Sequence, residues 1–170
     1  THAGDLTRTL MTLKETLKLK HIPERIECFD ISNIFGKHAV GSMITFEQGK
    51  PDKSRYKRFK IKTVGQIDDY AMMYEVLTRR YTRAGEEDDF PNLVMLDGGK
   101  GQMGVALKVF DELAIGNVDL IALAKGKKER PALEGQGGEQ IFVPWMSNPV
   151  VLSPSSPELL LLDKIRDEAH

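Results

Sequence analysis

Arg25-Ile26-Glu27-Cys28-Phe29-Asp30-Ile31 is the stretch that decides the fold. Pro23 precedes it and a turn around Gly36 (residues 33–37) follows, the punctuation of a short strand buried in a sheet. Side chains alternate across a strand, so Asp30 shares a face with Ile26, Cys28 and Ser32. A carboxylate at the end of an apolar strand is costly unless it is paired, hydrogen-bonded or bound to a cation. Two readings stay open on this pattern alone: Asp30 caps the following turn, or it serves a site at the sheet edge.

Asn92 to Asp97 (NLVMLD) repeats the arrangement, with Leu93, Met95 and Asp97 on one face and Gly98-Gly99-Lys100-Gly101 directly after. Two strands that each deliver an Asp at the carboxyl edge can bring two carboxylates together. Two hard oxygen ligands with open water positions suit Mg²⁺ or Mn²⁺. The glycine loop also invites a phosphate-binding reading, although the spacing G-x-x-x-x-G-K-[ST] is absent.

Around these strands the chain reads as mixed α/β. Leu6, Leu10, Leu13 and Leu17 predict an amphipathic helix over 5–19. Residues 38–47 and 55–62 read as strands joined by the turn signal at 49–52, which makes an antiparallel meander with the first strand. Ile67, Tyr70, Ala71, Tyr74, Leu77 and Tyr81 predict the core face of a helix over about 66–83. Residues 101–114 predict a helix with Val105, Leu107, Val109 and Leu113 apolar, 119–124 a strand, and 131–142 a glycine-rich hairpin. Ser156, Pro157 and Glu158 mark the start of a last helix. On that helix Asp163, Arg166, Asp167 and His170 are expected on a polar face, with Leu162, Ile165 and Ala169 inward. By itself a polar face is a solvated helix end. The whole predicts a central mixed sheet flanked by helices, with 1–24 as N-terminal helix and linker and 25–170 as the main domain.

The chain has 170 residues, 41% apolar and 29% charged, enough for one domain with a real core. No apolar run approaches the roughly 20 residues that span a bilayer. The start lacks a basic-then-apolar signal, and a single cysteine excludes an internal disulfide, so a reduced, cytoplasmic setting is expected. Without an initiator Met, the chain reads as a piece of something longer. Net charge is -1, but Lys50 to Lys62 carries seven cations against Asp52, a local grip for a phosphate backbone. On a strand, Tyr56, Arg58, Lys60 and Lys62 share a face. That face fits nucleic-acid contact or, equally, a charged edge that resists aggregation.

Four stretches together resemble one family. They are Ile26 to Asn33, Tyr56 to Lys62, Asp97 to Gln102, and Ile165-Arg166-Asp167-Glu168-Ala169-His170. In order and spacing they resemble the carboxyl-terminal half of the UvrC excinuclease proteins, over nearly the whole chain from about residue 5. The resemblance implies an RNase H-like nuclease that makes the 5′ incision beside a DNA lesion, working with the UvrB component of the excinuclease on damaged double-stranded DNA. It implies an Asp, Asp, His triad, which falls on Asp30, Asp97 and His170, with Asp30 and Asp97 holding Mg²⁺ or Mn²⁺. Arg58, Lys60, Lys62, Lys100 and Arg166 are the expected DNA contacts. The family's GIY-YIG nuclease half and helix-hairpin-helix tail are not in this chain, and the family's last helix runs on past His170. A catalytically silent DNA-binding scaffold is therefore the competing expectation.

Overall fold

The structure is a computed structural model that describes residues 2–34, 38–62, 68–125 and 138–170. Seven strands form one mixed sheet: β1 (Arg25–Ile34), β2 (His38–Glu47), β3 (Lys50–Pro51), β4 (Lys57–Lys60), β5 (Leu93–Asp97), β6 (Asp119–Lys125) and β7 (Glu139–Phe142). Strands run in the order β3-β2-β1-β5-β6-β7, with β4 also paired to β2. Four helices cover the sheet: α1 (His2–Leu17), α2 (Asp69–Glu87), α3 (Lys100–Glu112) and α4 (Pro157–Ala169).

The alternation of β1 sorts the core into two layers. Ile26 and Cys28 pack with Leu93 and Met95 of β5, Leu10, Leu13 and Leu17 of α1, and Leu162 and Ile165 of α4. Phe29 points the other way and packs with Val94 and Leu96 of β5, Val76 and Leu77 of α2, and Ala106 and Val109 of α3. Each such side chain, taken fully from water, stabilises by roughly 1.5–3 kcal/mol, and both layers share β1 and β5 as their floor.

The expected meander is present: β1 and β2 pair antiparallel, as do β2 and β4. Its turn differs in detail. Gln48 and Gly49 both take positive φ, 53° and 79°, a tight hairpin that returns the chain into β3. Pro51 then ends β3, since proline has no N–H for the ladder. A single 3₁₀ turn (Lys53–Arg55) re-aims the chain, so β4 starts at Lys57.

Two helix faces are corrected. In α2 the buried residues include Met72, Met73, Val76, Leu77, Arg80, Tyr81 and Ala84, while Tyr70 is 51% exposed. Tyrosines carry a polar tip and sit at a boundary, and the methionines fill the interior instead. In α3 Met103, Ala106, Val109 and Phe110 are buried and Leu107 is exposed. Ser156 caps α4 as expected, accepting from the Leu159 N–H at 3.3 Å. Ile67, Gly36 and most of the expected 131–142 hairpin lie outside the described residues. No described helix is long and apolar enough to cross a membrane.

Candidate metal centre

Strands β1 and β5 run parallel, with Cys28 opposite Met95 and Phe29 opposite Leu96. The next step of that register brings Asp30 alongside Asp97, the last residue of β5, on the face that Cys28 and Met95 share. Parallel neighbours end on the same side of a sheet, so both carboxylates emerge at one edge. Gly98 then turns the chain away at φ 148°, and a Cβ there would lie 2.4 Å from the Gln102 side chain. Gln102 accepts from the Gly99 N–H at 3.2 Å. The glycine loop is therefore closed by its own helix, and its tight turn serves the exit of Asp97.

The last turn of α4 completes the group. His170 Nε2 lies 2.5 Å from Asp97 Oδ2. One ligand atom each from Asp30, Asp97 and His170 falls within 4.8 Å of the others. Asp30 and Asp97 are half-buried and the His170 side chain is 49% exposed, so the group opens to solvent on one side.

Charge is crowded here. Burial raises the Asp30 carboxyl above its ordinary value; Asp97 and then Asp69 push the same way, and His170 opposes them. Asp69 escaped the sequence reading. Its signal was the doubled acid at the start of α2: Asp68 caps the helix, accepting from the Tyr70 and Ala71 N–H groups, and leaves the Asp69 charge to act on the edge of the sheet. Cys28 lies beneath, fully buried, and burial followed by Asp97 and Asp30 pushes its thiol up. It stays protonated and is no ligand.

The donor chemistry fits Mg²⁺ or Mn²⁺. Two carboxylates and an imidazole supply hard oxygens and one borderline nitrogen. Ion–oxygen bonds of roughly 2.0–2.6 Å allow ligand atoms of one ion to stand up to about 5 Å apart, which the observed spacing meets. A cation would also relieve the like-charge crowding that raises Asp30.

The expected DNA contacts divide. Register aligns Asp30 with Ser42 and Ser42 with Arg58, so one row crosses the sheet from the carboxylates to β4. Arg58 is exposed and lines a groove of about 310 Å³ with Ser42, Tyr56, Glu168 and His170. Lys60 is exposed at the end of β4, and Lys62 just beyond it. Lys100 is exposed on the first turn of α3, beside Asp97 in sequence. Arg166 is the correction. It is only 6% exposed and contacts Glu139 at 3.4 Å and Asp163 at 3.3 Å. Turned inward between two acids, it is not placed as a surface phosphate contact.

A family model described as the UvrC RNase H endonuclease domain matches residues 14–170. The chain is 51% identical over 165 residues to UvrABC system protein C of Protochlamydia amoebophila, covering 96% of this chain and 26% of that protein. It is 49% identical over 164 residues to the protein of the same name from Geotalea daltonii, covering 95% and 26%. The chain thus spans about a quarter of the length of these curated relatives. Among solved structures, endonuclease V of Ciona intestinalis, crystallised with an inosine-containing 24mer DNA, is similar in fold. Its TM-score is 0.50 at 14% identity, over 95% of this chain and 84% of that one.

Proposed function

We propose, from the premise that this chain belongs to the UvrC RNase H endonuclease domain family, that it hydrolyses a DNA phosphodiester at Asp30, Asp97 and His170. One observation carries the reading: two carboxylates from parallel strands and an imidazole from a distant helix converge at an open edge of the sheet. Asp30 and Asp97 are the residues that would hold Mg²⁺ or Mn²⁺. Such an ion, when bound, orients water and stabilises charge on a phosphodiester in transit.

This chain's own residues do the rest. The buried floor under Asp30 and Asp97 keeps their carboxylates in place, and the exposed side of the group admits the phosphate. His170 is held by Asp97 at one ring nitrogen and exchanges a proton with water at the open edge. Arg58 and Lys60 on β4, then Lys62, extend a basic path from the site, and Lys100 flanks it from α3. These bind the phosphate backbone and position it without reading bases. In the wider process, the activity is the 5′ incision of bacterial nucleotide excision repair, on damaged double-stranded DNA, in partnership with the UvrB component of the excinuclease and in the cytoplasm.

Nicking of a supercoiled plasmid tests the reading. The chain with Mn²⁺ or Mg²⁺ is expected to convert it to the open circle, and chelation to stop the conversion. Retained nicking by Asp30→Asn or Asp97→Asn would overturn the assignment. Metal binding without any nicking, while DNA is still bound, would favour the silent scaffold.

A further inference from the structure

Arg166 is a buried arginine close to the centre, and the proposed chemistry does not use it. Its guanidinium reaches Glu139 on β7 at 3.4 Å through Nη1 and Asp163 on its own helix at 3.3 Å through Nη2. Asp167 lies at 4.0 Å from Nε. Its charge is felt at Cys28, the same buried thiol that feels Asp97 and Asp30. Arg166 and the two carboxylates therefore surround one point of the floor from different sides.

The position on α4 matters as much as the partners. Residues four apart on a helix stack on one side, about 6 Å along the axis, so His170 follows Arg166 by one turn on the same side. The His170 N–H also donates back to the Arg166 carbonyl at 3.3 Å. On the sheet side, Glu139 pairs with Lys125 and Ile141 with Leu123, while Leu123 stands opposite Asp97. The Leu123 carbonyl accepts from the Gly98 N–H at 2.9 Å. An unbroken ladder thus links Glu139 to Asp97, and Arg166 ties α4 to the far end of that ladder.

We infer that Arg166 is a positioning residue of the nuclease site: by gripping Glu139 and Asp163 it sets the rotation of the last turn of α4 and so holds His170 against Asp97. A planar guanidinium suits the task, because it grips two carboxylates from different elements in a fixed fork that an ammonium cannot reproduce. Burial, and then the neighbouring Asp163, pushes the Glu139 carboxyl up to about 7, so the acids under Arg166 crowd one another and depend on its charge. The inference rests on reading Asp30, Asp97 and His170 as the cleavage site.

The test compares Arg166→Lys, His170→Ala and the double variant in the full-length protein, with melting temperature measured for each. His170→Ala is expected to lower kcat by about 10²–10⁴. Arg166→Lys is expected to lower kcat by at least tenfold, with KM for DNA and its salt dependence unchanged. The double variant should be no slower than His170→Ala alone, since both act through one group. A readout independent of turnover is the His170 ring resonance in the metal-free chain, one of four histidines. In Arg166→Lys it should move to the position it takes in Asp97→Asn. If the lysine variant melts too low to study, Arg166→Gln combined with Glu139→Gln removes the stranded charge and is read the same way. An unmoved His170 resonance, additive losses, or a raised KM with a flatter salt dependence would overturn the inference. Full activity in His170→Ala would instead overturn the site reading beneath it.

Discussion

Glu27 and Asp30 stand on the same strand, three residues apart, and face opposite layers of the molecule. Glu27 is fully buried and answered on every side: Arg80 donates to it at 2.7 and 3.1 Å, and the Tyr81 hydroxyl donates at 2.9 Å. Asp89 joins the same network, accepting from Arg25 at 2.8 Å and from Arg80 at 3.3 Å. Asp30 is only half-buried, yet its nearest charges include two more carboxylates, Asp97 and Asp69, with His170 alone in opposition. One carboxylate has been neutralised by the fold and the other left short of positive charge. Burial alone does not mark a working acid; a buried acid without sufficient counter-charge does.

Four substitutions sharpen or break the contrast. The largest effect belongs to Asp30→Asn. It removes charge and no volume, so cleavage should fall by more than about 10³-fold, matching the several kcal/mol that a held cation supplies to the transition state. The fold should stay intact by circular dichroism. Comparable cleavage with Asn at this position would erase the distinction between the two acids.

Glu27→Gln should do the reverse. Breaking a buried ion pair by neutralising one partner costs about 3–5 kcal/mol, read as a loss in denaturant unfolding, while the rate per folded molecule holds. A loss much below about 1 kcal/mol would mean that Arg80 and Tyr81 find other partners.

The third test uses pH in the metal-free chain. Asp30 has its folded value raised above the ordinary 3.8, so its contribution to stability is present below that value and lost as pH rises. Asp30→Asn should therefore melt higher than the parent at neutral pH, and the gap should close on acidification. For Asp89, burial works upward, but Arg25, Arg80 and Arg55 hold the carboxyl below 3.8. Its contribution is present above 3.8 and lost as pH falls. Asp89→Asn should melt lower at neutral pH, with that gap also closing in acid. Gaps of the same sign would contradict the contrast.

The smallest effect is expected at Lys60→Ala. Binding should weaken alike on all DNA sequences, and the slope of log affinity against log salt should fall by about one. An unchanged slope would remove Lys60 from the basic path.

Much of this was legible from residue patterns. Period-two alternation placed Ile26, Cys28 and Asp30 on one face, and the same count placed Leu93, Met95 and Asp97, because strand geometry leaves no other phase. His170 was visible only through resemblance, since no local rule aims a helix end at a sheet edge. Arg166 was misread for a related reason. Helical spacing groups it with Asp163 and Asp167, and the Glu139 that draws it inward lies on another element, 27 residues away. Glu27 gave no hint of its role, as Arg80 lies 53 residues along the chain. The phase of α2 was misjudged because its tyrosines look apolar in a pattern and its methionines look incidental.

The parallel pairing of β1 with β5 has a consequence for how the molecule comes into being. Parallel neighbours cannot be joined by a hairpin, so β2, β4 and α2 must be laid down between Asp30 and Asp97 before the two carboxylates can meet. His170 closes on Asp97 across a further 73 residues. Contacts of such long separation form late, after the entropy of the intervening loops has been overcome. A partly folded chain, or one still emerging from synthesis, holds the two acids and the histidine on unconnected segments. In a protein that cuts DNA, this topology delays the blade until the handle is complete.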